Sequence, residues 1–146
     1  MAKRLAVGVA VTHSVGMFAA LVRPALSAFF PATETLPGAE RGIGPYTDRF
    51  LTDTSWLMWL GIVGGALLYQ VLPVWTVHRP VPAALLGAES RGRHAEAMAD
   101  SSVYLIRQAA FLLKMVAGLH WAALPEVREA MGLEAYAPDP DAWRTA

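Results

Sequence analysis

The sequence predicts an all-α integral membrane protein: two transmembrane helices, a third apolar helix that is amphipathic or packed, and a short terminal helix. Three observations predict it. An uncharged, mostly apolar run extends from Thr54 to Val77, 24 positions, where about 20 suffice to cross the hydrocarbon core of a bilayer as a helix. A second uncharged run, Leu5 to Val22, lies upstream. The chain is 55% hydrophobic and 16% charged, against roughly 25% charged in an ordinary soluble domain. Inside a bilayer each backbone N–H and C=O must be satisfied within its own segment, which makes such runs helices. The expected spans lie near residues 5–27 and 54–76, and with a third apolar helix over 103–124 they make residues 1–124 a membrane helical region. Residues 125–146 then form a short helix and a polar tail.

The first run follows Lys3 and Arg4 and ends at Arg23-Pro24. A basic start before apolar residues resembles a signal peptide, but 18 apolar positions exceed the usual 7–15 of that class. The run therefore reads as a retained span. Within it Gly8, Thr12, Gly16 and Ala20 recur every fourth residue, a helical strip of small side chains that a second helix backbone can approach closely. His13 lies at mid-run, where an ionisable side chain must be paired or neutral.

Between the runs, residues 31–53 contain three prolines and three glycines, punctuation that predicts an irregular loop. The fragment Gly42-Ile43-Gly44 lacks the third glycine of a dinucleotide fingerprint. Trp56, Trp59 and Trp75 flank the second run, as indole rings do at headgroup level. Gly61 and Gly65 form a Gly-x-x-x-Gly pair suited to close helix packing. Pro73 lacks a backbone donor and predicts a kink at the end of the run. Lys3, Arg4, Arg79, Arg91 and Arg93 fall on one side of the two spans, against Arg41 and Arg49 in the loop. The bias predicts a plasma or inner membrane protein with a cytoplasmic N-terminus and an external first loop.

The third segment, Val103 to Leu124, is apolar but carries Tyr104, Arg107, Gln108, Lys114 and His120. At 100° per residue the first four fall within about one-third of the circumference. A basic residue at a helix centre costs about 2.5–3.5 kcal/mol on insertion, whereas each Leu or Ile returns only about 0.3–0.6. Two such residues cancel most of the gain, so the segment reads as a packed or interfacial helix. Arg107 and Lys114 are then expected to face a partner protein, lipid phosphates or water. Asp100, Ser101 and Ser102 are candidate N-caps. Pro125 and Glu126 open the short terminal helix and Gly132 stops it.

Phe111 to Leu133 resembles a helix-plus-turn segment near the start of some flavin-dependent alcohol dehydrogenases of the glucose-methanol-choline family. There an apolar helix runs into Pro-x-Val-Arg-x-x-Ile-Gly-Tyr. Here Pro125, Val127, Arg128 and Gly132 match, while Met131 and Leu133 stand in place of Ile and Tyr. The flavin-binding glycine fingerprint is absent, and the chain is too short for that catalytic domain. The resemblance therefore implies a membrane anchor or accessory partner of such an enzyme, and carries over no catalytic residue.

The chain has no cysteine. That removes disulfides, iron–sulfur clusters, thiolate zinc sites and haem attached through Cys-x-x-Cys-His. Twelve basic and twelve acidic residues cancel, so no net positive charge invites nucleic acid. No motif names a reaction. The leading expectation is a non-catalytic membrane subunit that anchors or organises a larger complex, redox or energy-converting in kind. Its partners would be other membrane or membrane-associated subunits and lipid. The alternative is an electron-transfer subunit in which His13 and His120 bind haem or a quinone. A transporter acting alone lacks the internal repeat that alternating access requires.

Overall fold

Every regular element among the described residues, 16–134 of the computed structural model, is helical. Helix α1 is described over residues 16–27. It is followed by α2 (Ile43–Asp53), α3 (Trp56–Val71), the single turn α4 (Pro73–Thr76) and a 3₁₀ turn (Ala83–Leu85). Then come α5 (Ala88–Ala99), α6 (Tyr104–Ala123) and α7 (Pro125–Ala130).

Local chemistry accounts for most boundaries. Ser55 is extended and its hydroxyl accepts from the Met58 amide, which caps the start of α3. Pro73 cannot donate to the carbonyl four residues back, so α3 stops and α4 restarts with proline in its first turn. Val103 is the N-cap of α6, and its N–H donates to the Ser101 hydroxyl oxygen. Asp100 instead closes α5. The end of α7 is a Schellman turn: Leu133 N–H bonds Arg128 C=O, and Gly132 N–H bonds Glu129 C=O. Gly132 sits between them at φ +67°, a conformation that a β-carbon disfavours.

Helices α3 and α6 form the centre. They run antiparallel, with the α-carbon of Gly61 facing Leu112 and that of Gly65 facing Ala109 and Leu113. Ile62, Ala66 and Tyr69 of α3 meet Leu113, Val116 and Ala117 of α6 in one buried cluster, joined by Val22 and Leu26 of α1 and Met98 of α5. Half of the predicted loop is helix α2, whose buried face is Ile43, Thr47 and Leu51. The rest is clamped onto the far end of α6. Trp121 Nε1–H donates to Pro37 C=O at 2.8 Å while its ring stacks on Phe30. His120 Nε2–H donates to Arg41 C=O at 2.8 Å, and Arg41 pairs with Glu126.

The expectation of an integral membrane protein with transmembrane helices is overturned. Among the described residues no helix is long and apolar enough to cross a membrane. The 54–76 run is uncharged but is not one helix: α3 has 16 residues, about 24 Å at 1.5 Å per residue, short of a core of about 30 Å. Of the 5–27 run, residues 5–15 lie outside the described residues. The described part carries Arg23, held by Asp48 of α2 at 2.8 Å. Helix α6 has the length, 20 residues, but Arg107 and Lys114 lower its apolarity. The assignment to a plasma or inner membrane with a cytoplasmic N-terminus rested on those spans and falls with them.

Candidate functional site

Helices α3 and α6 line a groove of about 630 Å³ between them. Its α3 wall is Leu60, Gly61, Gly64, Gly65 and Leu68; its α6 wall is Leu105, Gln108, Ala109, Phe111 and Leu112. The groove exists because of side-chain size. Gly61 and Gly65 let α6 approach, and a β-carbon on Gly61 would meet Leu112 at 2.9 Å. Gly64 is turned outward, and a β-carbon there would have no neighbour within 4 Å. Gly64 thus leaves backbone open between leucine side chains, while Gly61 and Gly65 are covered by Leu112, Ala109 and Leu113.

The rim is apolar and open to solvent. Leu60 is 52% exposed, Phe111 63% and Leu105 66%. Leu57, Leu67 and Val71 extend the same exposed face along α3, and Met115 and Leu119 extend it along α6. Such contiguous apolar surface exceeds the scattered single residues normal on a monomer. On the far flank of α6, Arg107 and Lys114 lie four and three positions from Phe111 and so are its helical neighbours. Arg107 donates to Ser101 C=O at 2.8 Å and its guanidinium lies 5.9 Å from the Tyr104 ring centroid. Both basic side chains are exposed, and neither enters an ion pair among the described residues.

The other residues singled out from sequence scatter. Gly8, Thr12 and His13 lie outside the described residues. Gly16 and Ala20 sit exposed on α1. His120 is buried, with its ring 4.6 Å from that of Tyr46 and its Nε2 committed to the Arg41 carbonyl. Among the described residues no three His, Asp or Glu side chains converge as a metal site. Compared with protein families, with curated proteins and with solved structures, the chain matches none.

Sequence reasoning missed His94 of α5, which is fully buried. Its Nε2–H donates to Tyr69 C=O at 2.8 Å. That carbonyl is the one Pro73, four residues on, cannot serve. The remaining ring nitrogen, Nδ1, then accepts from the Thr76 hydroxyl at 2.5 Å. His94 thus bridges both sides of the α3–α4 break. Burial pushes its imidazole below the ordinary value of 6.5, and the bond to the Tyr69 carbonyl opposes the shift. Both ring nitrogens have protein partners, so its work is structural. The Tyr69 ring packs 4.7 Å from it, and burial drives the Tyr69 phenol far above its usual value. Only the proline hints at this node in the sequence: a freed carbonyl needs a donor from somewhere.

Proposed function

We propose that this chain is a non-catalytic accessory subunit that organises a larger assembly by docking a partner on the α3–α6 face. What supports the reading is one observation. A groove with exposed leucine and phenylalanine walls, open at Gly64, is left uncovered by the described residues on the two helices that otherwise build the core. Leaving apolar area in water forgoes about 25 cal/mol per Å², a cost that covering by a partner would remove. The buried polar groups point the same way, since His94 and His120 are tied to backbone carbonyls. A redox assembly is the first to examine, because residues 111–133 resemble a segment of flavin-dependent alcohol dehydrogenases.

The test is site-specific photo-crosslinking in the native cell. A photoreactive side chain at Leu60 should yield one stoichiometric adduct with a defined partner, and the same group at Glu129, on α7, should not. A chain that stays monomeric, with no adduct from Leu60, overturns the subunit reading.

A further inference from the structure

We propose that the groove accepts an α-helix of the partner, one whose apolar ridge lies between α3 and α6 and whose flank carries acidic residues that meet Arg107 and Lys114. The inference rests on the subunit reading and names the chemistry of the occupant. Shape argues for a helix. The groove lies between two antiparallel helices, and the exposed apolar face continues past it through Leu67 and Leu119. It therefore suits a long occupant with anchors every three or four residues. A small molecule would want several convergent polar groups, whereas Gln108 is the one polar side chain in the walls. The missing side chain at Gly64 leaves room for a ridge of side chains between the two walls.

Charge selects among helices. Neither α3, α4 nor α6 contains an acidic residue, and the charged side chains of α6 are Arg107 and Lys114. A second copy docking the same face in a two-fold contact would bring these cations toward their own counterparts. An acidic flank pairs with them instead, and complementary charge acts mainly on the association rate and on its salt dependence.

The experiment titrates the full chain with fluorescent amphipathic helical peptides that share a leucine–alanine ridge and differ only in flanking Glu or Lys. The Glu-flanked peptide should bind about tenfold tighter, equivalent to about 1.4 kcal/mol, and the advantage should shrink at high salt. Arg107→Glu with Lys114→Glu, both at exposed positions, should invert the preference. Gly64→Leu should weaken both peptides about tenfold while circular dichroism holds steady and the melting temperature does not fall. Equal affinity for the two flanks, or indifference to Gly64→Leu, overturns the proposal. So does binding to anionic phosphatidylserine vesicles, sensitive to the charge reversal but not to Gly64→Leu, in the absence of peptide binding. If the Leu60 adduct forms in cells and the peptides show no flank preference, the helix inference fails and the subunit reading stands. If the peptides bind as expected and no adduct forms, the subunit reading fails instead.

Discussion

At the scale of single residues, the fold depends on a few side chains that repair what helix ends leave open. Pro73 deprives the Tyr69 carbonyl of its intrahelical donor, and His94 supplies one from α5. Removing it by His94→Ala leaves a buried carbonyl unpaired, which costs about 1–3 kcal/mol. The same residue gives stability a pH dependence of definite sign. Burial holds the folded pKa of His94 below its ordinary 6.5. Below about 6.5 the unfolded chain therefore takes up a proton that the folded chain resists, and stability falls with falling pH until the folded pKa is passed. Urea unfolding at a series of pH values should show this slope in the parent chain and a smaller one in His94→Ala. An identical slope in both would assign the pH dependence to other groups.

At the scale of elements, the α3–α6 pair is controlled by which glycines face inward. Gly65 is buried, and a β-carbon there would lie 3.5 Å from Leu113 and 3.6 Å from Ala109. An alanine fits, but a leucine overfills the contact. Gly64 faces open space. Replacing glycine by alanine within a helix gains up to about 1 kcal/mol, whereas overpacking costs about 1–3 kcal/mol. Gly64→Ala should therefore raise the denaturation midpoint, and Gly65→Leu should lower it. Opposite signs at adjacent positions would locate the interface between them. Equal effects would mean that neither glycine acts through packing. The His120–Arg41 and Trp121–Pro37 bonds do comparable work for residues 31–42, converting a proline- and glycine-rich stretch into a strap across α6.

At the scale of the whole molecule, formal net charge is zero and large apolar side chains from α3, α4 and α6 reach solvent, Trp56 and Trp75 among them. An isolated chain with that surface should bind a hydrophobic dye such as anilinonaphthalene sulfonate in its native state. Leu60→Ser combined with Leu67→Ser should reduce the dye signal, since both side chains belong to one exposed face. Helicity should not change, because neither residue belongs to the buried cluster. A signal unaffected by the pair would mean that the dye reads some other surface.

The helical character of the described residues, and roughly the position of the central helices, was legible in the sequence. Apolar runs at 54–76 and 103–124 correspond to α3–α4 and α6, and Pro73, Pro125 and Gly132 stand at helix boundaries. These features are local: caps, missing donors and positive φ act within a few residues. Local signals also placed Arg107, Gln108 and Lys114 on one exposed side of α6. Which apolar side chains are buried follows from the packing of the helices and not from any one segment. Run length measures hydrophobicity and does not tell whether a leucine meets lipid, a partner or another helix of the same chain. Ile62, Tyr69 and Leu113 are buried against their own fold, and among the described residues no helix is long and apolar enough to cross a bilayer. The buried bridge of His94, the clamp of His120 and the difference between Gly64 and Gly65 each depend on residues far apart in the chain. No periodicity within one segment encodes them, because they arise when segments meet.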